Sequence, residues 1–138
     1  MVDFKVIDLG IESQNLPRVL VVDDDIALQS VVFDTLGDFY RLIPAHNGRE
    51  AFEKAKHVKP QLILMDVMMP DIGGYEAVRM LHSEKTTAHI PIVMFSAVDF
   101  DTSTVQMLKQ EPNVKGFLVK PFRPNQLREI VKSHILKE

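Results

Sequence analysis

Five short apolar runs punctuate the chain: RVLVV at 18–22, YRLIPA at 40–45, QLILM at 61–65, IPIVMF at 90–95 and GFLV at 116–119. Each has the length of a buried strand, and the stretches between them can each hold a helix. That alternation predicts an α/β domain in which parallel strands are joined by crossover helices. Pro44 lies inside the second run. Proline has no N–H to give to a ladder and is confined to sheet edges, so the second strand belongs on the outside. A doubly wound five-stranded parallel sheet in the flavodoxin-like order 2-1-3-4-5, with five surrounding helices, meets that requirement and makes strands one and three neighbours.

The first helix is expected over Ile26 to Gly37, with Leu28, Val31, Val32 and Leu36 at helical spacing on its inner face. The last is expected over Pro124 to Leu136, where Leu127, Ile130, Val131 and Ile135 repeat the spacing and Pro124 suits the first turn. Asn47-Gly48 reads as a turn or cap before the second helix, and Glu111-Pro112-Asn113 breaks the chain before the fifth strand. A chain of 138 residues is one domain of ordinary size. The expected organisation is an extension over 1–17 followed by a domain over 18–138. In the extension Val2, Phe4 and Val6 alternate with Asp3 and Lys5. A tail and a short packed strand both remain open there.

Sixteen basic residues against nineteen acidic ones give a net charge of −3, which argues against a nucleic-acid surface. The longest apolar runs are about four residues, far short of the roughly twenty that cross a membrane. The N-terminus lacks the basic start and apolar stretch of a secretory signal. The absence of cysteine excludes disulfides, thiol catalysis and zinc-thiolate sites, and it fits a cytoplasmic location.

Ligands of an open parallel sheet bind beyond the carboxyl ends of its strands. Strand one ends in Asp23, Asp24 and Asp25, strand three in Asp66, strand four in Ser96 and strand five in Lys120. Each alone passes for an ordinary cap or loop residue, but in the predicted order the four ends are adjacent. Two carboxylates about 4 Å apart repel by about 4 kcal/mol at an effective dielectric near 20, so the cluster needs cations. Mg²⁺, which takes one or two carboxylates with waters and a phosphate oxygen, fits. Lys120 supplies a second positive charge suited to a phosphate oxygen. Asp25 is assigned to the first turn of the helix, where the dipole favours it, and not to the metal.

These residues together resemble the receiver domain of bacterial two-component response regulators over about residues 18–136. The resemblance rests on Asp23-Asp24, Asp66 with Met69-Pro70, Ala45-x-Asn47-Gly48-x-Glu50-Ala51, Ser96 before Ala97, and Lys120-Pro121-Phe122. It implies that Asp66 is the phosphoacceptor, and that Mg²⁺ is held by Asp24 directly, Asp23 mainly through water, Asp66 and the Met68 carbonyl. It implies that Lys120 pairs with Asp66, that Ser96 turns its hydroxyl to the phosphoryl group, and that the Lys120–Pro121 bond is cis. Backbone N–H groups of Val67, Met68 or Ala97 are expected to complete the phosphoryl site, in keeping with the demand of phosphoryl transfer for neutralised equatorial oxygens. Phe117 is the expected aromatic switch partner of Ser96, coupling the site to the surface of helix four, strand five and helix five, with helix four as the mobile element. An alternative for Phe117 is an ordinary half-buried strand aromatic.

Two departures stand out. Gly73 occupies a position where the family often carries Asp, which predicts a looser loop after strand three, and serine replaces the commoner threonine at 96. Met68 and Val98, at positions that influence phosphate lifetime, are both apolar, so self-dephosphorylation is expected to be slow. The implied partners are a sensor histidine kinase or histidine phosphotransfer protein and a downstream protein or output domain, with a phosphorylation-dependent homodimer as a further option. No direct nucleic-acid or membrane contact is expected, and the domain is regulatory, not an enzyme acting on other substrates. An aspartate-nucleophile phosphatase of the haloacid-dehalogenase type is disfavoured: its Asp-x-Asp-x-Thr/Val motif fails at Ala27. A receiver that binds partners without phosphorylation is disfavoured because every phosphorylation residue is present. The five histidines have no metal-ligand spacing and are expected on the surface.

Overall fold

The computed structural model describes residues 15–97 and 102–135. Its strands are β1 (Arg18–Val22), β2 (Arg41–Ala45), β3 (Leu62–Asp66), β4 (Ile92–Ala97) and β5 (Val114–Lys120). They alternate with helices α1 (Ile26–Leu36), α2 (Gly48–Val58), α3 (Gly74–Ser83), α4 (Thr102–Lys109) and α5 (Pro124–Ile135). All strand pairs are parallel, in the order β2-β1-β3-β4-β5. The edge position that Pro44 required is where β2 lies, with Pro44 opposite Val21. The strand expected over Val2, Phe4 and Val6 falls outside the described residues, as do Val98 and Leu136.

Both faces of a parallel sheet are covered, so its strands are apolar on both sides. Leu20, Ile63, Met65 and Met94 face α2, α3 and α4 through Ala51, Ala55, Ala77, Val78, Leu81 and Leu108. Val19, Val21, Leu62, Leu64, Val93 and Phe95 face α1 and α5 through Val32, Leu36, Leu127 and Val131. One expectation for α1 is corrected: Val31 is 49% exposed, and the inward positions are Gln29, Val32 and Leu36. The buried stripe therefore takes in a polar residue, for which the site below supplies partners.

The strand limits also shift. β4 runs on through Ser96 and Ala97, and β5 begins at Val114. Ile92 pairs with Val114 and Val93 with Gly116, so Lys115 is an extra residue in β5. This is the bulge that a strand glycine often marks. The expected helix caps are in place. Asp25 is the N-cap of α1, accepting from the N–H groups of Ala27 and Leu28, so it stands one position before the first turn. Asn47 caps α2 by accepting from Glu50 N–H at 2.8 Å.

Candidate functional site

The carboxyl ends of β1, β3, β4 and β5 meet at one rim, as the strand order requires. Asp23, Asp24 and Asp66 each offer a carboxylate oxygen, and these atoms all lie within 4.8 Å of one another. Asp23 and Asp66 are buried and Asp24 is exposed. Lys120 closes the opposite side, its Nζ 2.9 Å from Asp66 Oδ1 and 3.4 Å from Asp23 Oδ2. The Lys120–Pro121 bond is cis.

Electrostatics follow from that packing. Burial pushes the Asp23 carboxyl up to about 6, the Asp66 charge adds to the rise, and the Asp25 N–H and Lys120 oppose it. Burial likewise raises the Asp66 carboxyl, with Lys120 pulling it back and the Asp24 charge adding to the rise. Burial disfavours the Lys120 ammonium, but its hydrogen bond to Asp66 and the charges of Asp66 and Asp23 outweigh that and raise its pKa. Three carboxylates share one ammonium, so the site can take further positive charge. A hard divalent ion with oxygen ligands matches that donor set and deficit.

Asp23 is fixed through all its polar groups. Its N–H donates to the Ala45 carbonyl at 3.0 Å. Its carbonyl accepts from Gln29 Nε2 at 3.1 Å, and its Oδ1 accepts from Asp25 N–H at 2.9 Å. Gln29 was not among the expected site residues; the signal for it was a lone amide inside the apolar stripe of α1.

The loop after β3 is held by backbone contacts to Val67 and to the start of α2. Gly73, the N-cap of α3, makes no side-chain cap bond. Backbone bonds hold the loop instead: Gly74 N–H donates to Val67 O at 3.0 Å, and Gly48 N–H to Ile72 O at 3.1 Å. A Cβ on Gly74 would sit 2.6 Å from the Asp66 carbonyl oxygen, and one on Gly48 2.5 Å from that of Ile72. Both glycines are required by close approach of backbone at the site's floor.

The Val67 N–H donates to the Phe95 carbonyl at 3.0 Å as an extension of the β3–β4 ladder, and its hydrogen bond to the Asp66 carboxylate favours the ionised form. Met68 is 63% exposed beside the acids, and Ala97 is exposed at the end of β4. Ser96 is buried. It alternates with Phe95 and so shares the sheet face of Met94, whose registered partner is Phe117. Phe117 is half-buried against that core face, with Lys109 Nζ 5.9 Å from its ring centroid. Ser96 and Phe117 are thus brought to the same face. His46, His57, His82 and His89 are exposed and His134 half-buried.

Comparison with known proteins accounts for this arrangement. The family model for the response regulator receiver domain matches residues 19–132. CheY, the chemotaxis protein of Thermotoga maritima, is 33% identical over 114 residues, 81% of this chain and 92% of that protein. The sensor histidine kinase TmoS of Ectopseudomonas mendocina is 33% identical over 119 residues, 86% of this chain but only 12% of its own length. The chain thus spans a small part of some relatives and nearly all of others. The solved receiver domain of a Pseudomonas aeruginosa sensor histidine kinase, with magnesium coordinated in its active-site cleft, is 26% identical. It superposes with a TM-score of 0.78, covering 87% of this chain and 98% of that one. Among the described residues, no helix is long and apolar enough to cross a membrane. By its sequence match and its fold, this chain belongs to the response regulator receiver domain family, a signalling domain of two-component systems.

Proposed function

We propose that this domain, taken as residues 18–138 with 1–17 as an extension, is phosphorylated on Asp66 by a partner phosphohistidine and carries that signal to a downstream protein or output domain. The observation that carries this reading is the carboxylate triad within 4.8 Å, with Lys120 Nζ at 2.9 Å from one member. Asp66 is the nucleophile: an ionised Oδ attacks phosphorus, the P–N bond to the donor histidine breaks, and the electron pair leaves on the imidazole. Burial works against that ionised carboxylate, and the Lys120 ammonium holds it charged.

Asp23, Asp24, Asp66 and the Met68 carbonyl would hold Mg²⁺, with Asp24 a direct ligand and Asp23 acting mainly through water. Mg²⁺, when bound, neutralises charge on the transferring phosphoryl oxygens. Lys120 takes a second oxygen. The Ser96 hydroxyl and the N–H groups of Val67, Met68 and Ala97 take the third, the Val67 N–H already facing the Asp66 carboxylate. Ser96 moving toward the phosphoryl group vacates space on the face it shares with Phe117, and an inward Phe117 biases the surface of α4, β5 and α5. Met68 and Val98 offer no group to orient an attacking water, which favours a long-lived phosphate.

The kinase or phosphotransfer partner, a cytoplasmic setting and a phosphorylation-dependent homodimer belong to this reading. So does the restriction of its chemistry to gaining and losing its own phosphate. Incubation with Mg²⁺ and a small acyl phosphate should add one phosphoryl group by mass to the wild type and none to Asp66→Asn, with loss of label on chelation during the reaction. Labelling of Asp66→Asn to the wild-type level, or sustained hydrolysis of a phosphate ester by the wild type, would overturn it.

A further inference from the structure

Gln29 is a buried amide for which neither the apolar packing of α1 nor phosphoryl chemistry gives a use. Its Nε2 lies 3.1 Å from the Val21 carbonyl, 3.1 Å from that of Asp23 and 2.8 Å from that of Ala45. Three acceptors converge on one nitrogen with two hydrogens, so at least one bond is shared. The amide orientation is fixed by chemistry, because an oxygen in that place would face three carbonyl oxygens. The three carbonyls lie at the carboxyl ends of two neighbouring strands, that of Asp23 one residue past β1, and that of Ala45 also accepts the Asp23 N–H at 3.0 Å.

The Asp23 carbonyl is half of the peptide that joins Asp23 to Asp24. Holding it sets the plane of that peptide and so the direction in which Asp24 leaves the strand. Asp24 is exposed, so this peptide is its means of aim. The triad repels itself, and the chain at this point would relax outward without a tether.

We propose that Gln29 is a positioning residue of the acidic site: it clamps the ends of β1 and β2 and presents the Asp23 and Asp24 carboxylates as one preformed divalent-cation site. This inference rests on the Mg²⁺ reading above. It assigns Gln29 no contact with the ion and no part in phosphoryl transfer.

The test is Mg²⁺ binding to the unphosphorylated full chain by titration calorimetry, with backbone amide NMR shifts of Asp23, Asp24 and Asp25 in the metal-free protein. Gln29→Met keeps the length and removes the donors. Residues that orient metal ligands without touching the metal alter affinity by roughly 10- to 100-fold, and the Mg²⁺ dissociation constant of Gln29→Met should rise about tenfold. Gln29→Asn retains the amide on a shorter arm and should rise by a smaller factor, which keeps the idea testable if the Met variant folds poorly. Val32→Ala serves as the control for loosened helix packing, since Val32 is fully buried in the same helix and packs in the apolar cluster of Val19, Val21 and Leu64. It should lower the denaturation midpoint while leaving Mg²⁺ affinity within twofold of wild type.

Mg²⁺ binding by Gln29→Met or Gln29→Asn at wild-type strength overturns the inference alone. An equal weakening in Val32→Ala also overturns it, because stability and not aim would then explain the loss. A wild type that takes up no Mg²⁺ overturns the metal reading and this inference together.

Discussion

The two halves of the sheet's carboxyl rim are built differently. On the β1–β3 side the backbone has no slack: Asp23 is held at its N–H, its carbonyl and its carboxylate, and Gly74 lies against the Asp66 carbonyl. On the β4–β5 side Val119 is 48% exposed, and Phe117 is half-buried with Lys109 Nζ 5.9 Å from its ring centroid. The first half must hold like charges together, which costs free energy unless every tether is in place. The second has only to accommodate one hydroxyl and one ring. The backbone tethers sit where charge is concentrated, and the half with the exposed Val119 and the half-buried Phe117 is the one proposed to report.

Glycine substitutions on the two sides test this most strongly. A Cβ on Gly74 meets backbone atoms at 2.6 and 2.9 Å, which no side-chain rotation relieves. Gly74→Ala should cost about 3 kcal/mol, the upper range for overpacking. A Cβ on Gly116 in β5 meets only side-chain ends of Ile130, His134 and Val93, at 3.3 Å or more. Gly116→Ala should change stability by less than about 1 kcal/mol, since strand alanine recovers backbone entropy lost by glycine. Urea denaturation of both variants decides it, and equal losses would erase the contrast.

Acid titration probes the charged half next. Asp23 has its folded pKa raised from 3.8 to about 6, and that of Asp66 is also raised. The folded state therefore binds more protons than the unfolded state across this window. The stabilisation is fully present below about pH 4 and is lost as pH rises through about 6. In metal-free protein the loss should be about 2 kcal/mol. Glu50, lowered by Lys54 and His46 despite the burial that raises it, contributes in the opposite sense. Asp23→Asn is thus the proper comparison and should flatten most of the decline. Millimolar Mg²⁺ should flatten it too, because an ion that binds only the folded, deprotonated site stabilises it at the higher pH. Thermal melts from pH 4 to 7.5 with and without Mg²⁺ measure both effects.

The parts of this design that a sequence displays are those written in side-chain type and period. Pro44 places β2 at the edge, and that order brings Asp23, Asp24, Asp66, Ser96 and Lys120 to one rim. What escaped was written in backbone approach. Gly74 looks like an ordinary loop glycine until the Asp66 carbonyl is seen against it. Gln29 escaped because helical periodicity scores apolar positions, and Val31 matched the pattern while an amide occupied the inward position. A polar side chain is admitted to the core where strand-end carbonyls need a donor, and that need is visible only once β1 and β2 are side by side.

Asp25 provides the finest division within the charged half. It directly follows the acidic pair, and composition alone would count it as a third ligand on β1. Its Oδ1 instead accepts from Ala27 N–H at 3.0 Å and Leu28 N–H at 3.3 Å, satisfying donors that open α1. Its own N–H serves Asp23 Oδ1, a bond that a side-chain substitution leaves intact. Asp25→Ala should therefore cost about 1 kcal/mol of stability, the usual value of an N-cap. Its Mg²⁺ dissociation constant should stay within about threefold of wild type, because an exposed neighbouring charge acts through screened solvent. Asp24→Ala should show the reverse, with little change in stability and loss of metal binding. Calorimetric Mg²⁺ titration beside urea denaturation separates the two, and a large fall in affinity for Asp25→Ala would mean that the cap, and through it the start of α1, is part of the cation site.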